Sequence, residues 1–198
     1  MIFRELKADE IEARVQSIKT KNGTPSGLVL LLYKNARCDM NILDETVGAE
    51  NWQREHYECK GNLFCRVGIK TASSMKLTNE GITGTPTEWV WKSDCGVESN
   101  TEAQKGEASD SFKRACFNWG IGRELYTSPF IWVPAEKCNI YDTKRKDKNG
   151  NPVYATNDRF AVEKIVIENK QITAISIINT SIKSDNIKDK RCFVWQRQ

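Results

Sequence analysis

The sequence has little of what most enzymes use. It holds one histidine, His56, among 198 residues. Any His-based catalytic triad would have to rest on that residue, which lies in the charged run WQREHYEC and reads as a solvated surface side chain. No GxxxxGKS or GxxxxGKT phosphate loop occurs, and no GxSxG elbow. The lone GxG at Gly120 to Gly122 follows a helical pattern rather than a strand, so it is not a dinucleotide cradle. Seven cysteines stand scattered at 38, 59, 65, 95, 116, 138 and 192, without a CxxC pair. That pattern reads as reduced thiols and argues against a structural zinc site. Long apolar runs are also missing. The longest, GLVLLLY from Gly27, is far too short to span a bilayer. The opening MIFRELKADE has no apolar core segment and does not read as a signal peptide, so a cytoplasmic location is expected. There is no internal repeat and no low-complexity segment.

What is present looks like an ordinary folded domain: 39% hydrophobic and 28% charged residues, with a net charge of +4. Such a mild positive balance permits nucleic acid as a partner without demanding it. Asp9 and Glu12 suggest a capping box, with Ile11, Val15 and Ile18 at helical spacing behind it. The segment KNGTPSG then supplies a turn, and Leu28 to Tyr33 reads as a buried strand. Arg37 to Val47 reads as a short helix with Met40, Leu43 and Val47 on one face, closed by Gly48. Residues 52–92 read as strands. Trp89 and Trp91 share one face of the last, the face expected under the following helix.

That helix opens at a Thr101/Gln104 capping pattern. Ala108, Phe112, Ala115 and Trp119 form its apolar stripe, and Gly120 caps it. Residues 144–157 read as a basic loop, 158–179 as a hairpin, and 180–190 as a polar, mobile connector to the apolar CFVWQ, which suits a strand. The expectation is an α+β fold with a curved antiparallel sheet and a long helix packed across it. A β-β-β-α core would be flanked by an N-terminal helix and a C-terminal β-hairpin. Residues 1–179 would form one domain, with core 9–133, followed by 180–198 as an appendage.

Two patterns could carry chemistry. Asp158 with Glu168-Asn169-Lys170 loosely matches a D…ExK metal site of nucleases, but Glu168 and Lys170 flank a hairpin tip and also make an ordinary polar turn. The basic residues are the other. Lys113 and Arg114 adjoin the Phe112/Trp119 stripe and are expected to project outward together. Lys105 lies two turns upstream, and Arg123 lies just beyond the helix. With Lys144, Arg145 and Lys146 these charges suit a phosphate backbone, although Glu107 and Asp110 also suit a merely solvated face. Trp52, Tyr57, Trp89, Trp91, Trp119 and Trp132 suit either base stacking or core packing.

The segment KGEASDSFKRACFNWGIGRELY resembles the signature helix of phage and prophage single-strand annealing proteins, of the Rad fifty-two-like recombination family. Lys105, Ser109, Asp110, Lys113, Arg114 and Ala115 hold its KxxxxSDxxKRA core. DEIEARVQSI is similar to the family's first helix, LLLYKNARCDMNILDETVGAENWQ to its strand-helix-strand entry, and EWVWKSDCGVES to the strand before the signature helix. The resemblance implies an ATP-independent, non-enzymatic protein that binds single-stranded DNA and anneals a complementary strand in a bacterial host cell. It implies a homo-oligomer in a closed ring, no cofactor and no metal, and a single-strand binding protein as a further partner. By it Lys113 and Arg114 would floor a DNA groove, and Arg37 would be a further groove arginine. Phe117 stands where the eukaryotic relative has another arginine, a loss that Arg123 would offset. A metal-dependent nuclease and a structured-RNA-binding module are the alternatives.

Overall fold

A computed structural model describes residues 1–71, 76–79, 81–84, 88–97 and 103–197. In chain order the elements begin with β1 (Ile11–Lys21), β2 (Thr24–Lys34), α1 (Ala36–Val47), β3 (Trp52–Cys59) and β4 (Asn62–Lys70). Two short strands follow, β5 (Lys76–Thr78) and β6 (Gly81–Thr83), then β7 (Trp89–Cys95) and the long helix α2 (Ala103–Trp119). The rest comprises β8 (Ile131–Pro134), β9 (Tyr141–Lys146), β10 (Pro152–Ala155), β11 (Phe160–Glu168), β12 (Gln171–Asn179), α3 (Ile187–Lys190) and β13 (Arg191–Gln196). The fold is α+β with antiparallel sheets. None of the described helices is long and apolar enough to cross a membrane.

The chain forms two compact units. One comprises Met1–Arg4 and Asn35–Gly122; the other comprises Glu5–Lys34 and Arg123–Gln198. In the first, β3, β4 and β7 make an antiparallel sheet in that order, and α2 packs against β4 and β7. Its core gathers Ile42 and Leu43 from α1, Cys65, Val67 and Ile69 from β4, and Phe112, Ala115 and Cys116 from α2, all buried. In the second, six strands run in the order β13-β12-β11-β1-β2-β8, over Leu28, Leu30, Ile131, Val133, Ile172 and Ile177. A separate hairpin pairs β9 with β10.

Tight turns set the registers. Asn22-Gly23, Lys60-Gly61 and Asn169-Lys170 each link two antiparallel strands with both residues at positive φ. That backbone twist matches the twist of the strands it joins. Gly96, just past β7, is required by a close approach: a Cβ there would lie 2.2 Å from the Glu107 carbonyl oxygen of α2.

Several expectations are corrected. The N-terminal helix is the strand β1, preceded by a 3-10 turn at Ala8–Glu10 whose Glu10 carboxylate accepts from the Lys7 N–H at 2.8 Å. Ile11 and Ala13 are buried, whereas Val15 is 37% exposed, which a buried helical stripe would not allow. A bulge between Val15 and Ser17 shifts the alternation by one residue. The apolar positions 11, 15 and 18 therefore mimic helical spacing in a strand rich in β-branched residues. In α1 the buried side chains are Cys38, Asp39, Ile42 and Leu43, so the inner face is rotated from the expected one.

Trp89 and Trp91 lie on the sheet face away from α2. Lys92 and Asp94 of the same strand contact α2 instead. On the outer face Trp91 lies against Gly68, where a Cβ would come within 2.8 Å of its ring, and the Arg66 guanidinium covers it at 4.6 Å. The basic loop is largely the β9-β10 hairpin, with Asp147 accepting from the Asn149 and Asn151 N–H groups in its turn. The connector 180–190 includes α3, capped by Asn186. Thr101 and the Gln104 side chain lie outside the described residues, so the capping pattern there is not described.

Candidate nucleic-acid interface

The helix α2 carries three different flanks. Its inner face, Ser111, Phe112, Ala115 and Cys116, is completely buried. One flank faces β7 and the start of β4 and is polar. There the Leu63 N–H donates to Glu107 Oε1 at 3.0 Å, and Asn118 Nδ2 donates to the Ser93 carbonyl at 2.9 Å. Lys92 Nζ donates to the Asn118 carbonyl at 2.9 Å and stands 4.6 Å over the Trp119 ring. Arg114 belongs to this flank, with Nε 3.3 Å from Asp94 Oδ1.

Lys113 does not share that direction. Lys105, Ser109 and Lys113 are spaced by four, so they follow one ridge that turns by about 40° at each step, while Arg114 lies roughly 100° further round. Lys113 and Arg114 are also both ion-paired: Lys113 Nζ lies 3.7 Å from Asp110 Oδ1, with its side chain 21% exposed, against 42% for Arg114. Asp110 and Asp94 are held in turn, accepting from the Val97 N–H at 3.2 Å and the Cys95 N–H at 2.8 Å. Lys105 is exposed.

The third flank opens a cleft of about 350 Å³, lined by Ala36, Arg37 and Met40 of α1, Arg54 and His56 of β3, and Ala108 and Ser109 of α2. The alternation of β3 puts Trp52, Arg54 and His56 on the helix side. Trp52 stacks with Phe112 at 6.1 Å between ring centroids, and the Arg54 guanidinium lies over the Phe112 ring at 4.7 Å. His56 Nε2 lies 3.1 Å from the Ala108 carbonyl. A carbonyl only accepts, so Nε2 carries the proton. At the α1 start the Asn35 side chain accepts from the Cys38 N–H at 2.9 Å, which places Arg37 in the first turn. Neither Arg37 nor Arg54 has an ion pair among the described residues. Behind this flank, burial pushes the Cys65 thiol up to about 11, against the lowering effect of the Arg54 charge and of a hydrogen bond at the Glu55 backbone.

Sequence reasoning missed Arg54 and treated His56 as a bystander. The available signal was the period of two along WQREHYEC, which puts both on the face of Trp52. Of the other expected residues, Arg123 is exposed in the helical turn Arg123–Thr127 of the second unit. Lys144, Arg145 and Lys146 are exposed on β9 of that unit. Lys144 Nζ lies 3.3 Å from Asp142, whose carboxyl is held below its usual range first by the Lys144 backbone N–H. The D…ExK alternative finds no support. Asp158 Oδ2 accepts from the Asn139 N–H and from Asn179 Nδ2, both at 2.7 Å, and so ties two loops together. Among the described residues no group of three metal-ligating side chains converges.

No curated protein and no solved structure matches the chain. A family model does, described as Rad52/22 family double-strand break repair protein, over residues 2–144. That span is well over half of the chain and takes in β1 through β8, the signature helix α2 and the cleft beside it. The chain therefore belongs to the Rad52/22 family of double-strand break repair proteins, a family of DNA recombination and repair.

Proposed function

We propose that this protein binds single-stranded DNA and anneals complementary strands without ATP, in the manner of phage single-strand annealing proteins. The observation that carries the reading is the cationic side of α2, where Lys105 and Lys113 follow one ridge and Arg37 stands across the adjoining cleft. Arg114 adds a charge toward β7. Arg123, Lys144, Arg145 and Lys146 extend the positive surface of the second unit. Neutralising phosphates lowers the repulsion between two strands, and gripping backbone rather than bases leaves the base edges free to pair. Hybridisation then supplies the driving force, and no catalytic group is needed.

The working form is a homo-oligomeric ring in the cytoplasm of a bacterial host, in which residues 1–179 act as one annealing domain and a single-strand binding protein presents the substrate. The deciding experiment mixes two complementary oligonucleotides with the protein in the absence of nucleotide and divalent metal. Annealing faster than the spontaneous rate is expected. A requirement for ATP, magnesium-dependent strand scission, or a preference for folded RNA over single-stranded DNA would overturn the reading.

A further inference from the structure

Two tryptophans of the first unit are not explained by a cationic α2. Trp52 and Trp119 serve packing: Trp52 Nε1 donates to Asp44 Oδ1 at 2.6 Å, and Trp119 Nε1 donates to the Val67 carbonyl at 2.9 Å. Trp89 and Trp91 lie on the sheet face away from α2, with ring centroids 6.1 Å apart, and neither indole N–H has a partner among the described residues. Trp89 is 37% exposed. The strand register brings Tyr57, Phe64, Arg66 and Lys70 to the same face. Arg66 is held from two sides. Its guanidinium stands 4.6 Å over the Trp91 ring, and its Nη2 and Nε donate to Glu55 Oε2 at 2.6 and 3.0 Å. Trp91 is seated in turn on Gly68, where a Cβ would come within 2.8 Å of the ring. Among the described residues Glu55 is the one carboxylate that the register puts here, against the two cations Arg66 and Lys70, so the face carries +1.

We infer that this outer face of the β3-β4-β7 sheet stacks unpaired bases of single-stranded DNA, on Trp89 and on the Arg66–Trp91 pair beside it. The inference rests on the proposed single-strand binding, and adds a base contact on the side of the sheet opposite α2, for a stretch of strand that α2 does not hold. Indole rings and guanidinium planes both stack on nucleobases, and they do so without regard to sequence. Planes already fixed by Gly68 and Glu55 lose little freedom when a base joins them. The exposed Lys70 supplies a charge for the neighbouring phosphate. Stacking uses the ring faces of a base and leaves its pairing edge free. Bases inside a duplex are already stacked on each other, so the face favours unpaired strands and lets go of the annealed product.

The test uses the full-length protein and two labelled oligonucleotides of equal length, oligothymidine and an abasic sugar–phosphate chain, read by fluorescence anisotropy over a salt series. Trp89→Leu, Trp89→Tyr and Lys113→Ala are compared. Trp89→Leu keeps an apolar side chain but no ring, and is expected to weaken binding of oligothymidine by roughly tenfold. Its affinity for the abasic chain should match the parent's, and its slope of log affinity on log salt should be unchanged, because stacking releases no counterion. Trp89→Tyr, which restores a ring, should recover most of the loss. Lys113→Ala should weaken binding of both chains and flatten the slope. Unchanged oligothymidine binding by Trp89→Leu, with Lys113→Ala weakened on both, would overturn the stacking face and leave the α2 reading standing. The converse result would sustain the face and remove the α2 reading. An equal loss on both oligonucleotides, or a changed particle mass in light scattering, would show that the face covers protein rather than bases, and would overturn the inference.

Discussion

Removing Lys113 and Arg114 together is the most informative perturbation of α2, because the structure separates its effect on folding from its effect on DNA. The ion pairs they lose are partly exposed, at 3.7 Å and 3.3 Å. Pairs of this kind contribute about 0–1 kcal/mol each. Neither carboxylate is stranded by the change. Asp110 keeps the Val97 N–H, and Asp94 keeps the Cys95 N–H and Asn118 Nδ2. Alanine favours the helix by a few tenths of a kcal/mol over lysine or arginine. The double variant Lys113→Ala/Arg114→Ala should therefore lose about 1 kcal/mol, a fall of about 2–4 °C in melting temperature. Its DNA binding should change far more. Two phosphate contacts per subunit vanish, so the salt slope should flatten by about 1.4 for each subunit engaged. Annealing of complementary oligonucleotides should be lost. The isosteric reverse, Asp94→Asn, leaves Arg114 without its 3.3 Å counter-charge, and should tighten binding and steepen the slope. Salt-dependent anisotropy alongside thermal melting reads all of this. A double variant that melts as predicted yet anneals normally with the parental slope would refute the placement of DNA on this helix.

Two further outcomes concern the core and the thiols. Phe112→Ala empties a completely buried site and removes the ring under Trp52 and Arg54, so urea unfolding should show a loss of about 3–5 kcal/mol; a loss below about 1 kcal/mol would contradict the packing described. Burial pushes the thiols of Cys65 and Cys138 up to about 11 and that of Cys192 to about 12, from an ordinary 9.0. Between about pH 9 and 11 the folded protein thus retains protons that the unfolded chain has lost, and stability should fall as pH rises through that window. Iodoacetamide at pH 8 should label the exposed Cys59 well before these three, and equal labelling rates would refute the burial.

Much of the architecture is legible in local chemistry. The α1 helix ends at Gly48, which takes φ 85°, and α2 ends at Gly120, which takes φ 97°, as expected where a chain leaves a helix left-handed. The stripe of Phe112 and Ala115 is buried as its spacing requires, and the turns at Lys60-Gly61 and Asn169-Lys170 stand where polar pairs interrupt apolar alternation. These features depend on neighbours within a few residues, so one sequence suffices to see them. The KxxxxSDxxKRA pattern, with the segments that precede it in order along the chain, likewise carried the family resemblance, since it names residues at fixed offsets on one helix.

Tertiary structure decided the rest. Whether Ile11 to Lys21 is helix or strand depends on β2 and β11, which pair with it, and no local signal distinguishes a bulged strand from a helical stripe. Likewise, β7 alternates cleanly, but alternation alone does not say which face meets α2; Lys92 and Asp94 win because their partners, Asn118 and Arg114, wait on the helix. The cleft is the clearest case. Arg37, Arg54 and Ser109 are far apart in the chain, and nothing local to any one of them shows that the three meet. Only the packing of α1, β3 and α2 around Phe112 brings their charges and hydroxyl to one opening, because electrostatic sites depend on distance in space and not on separation in sequence.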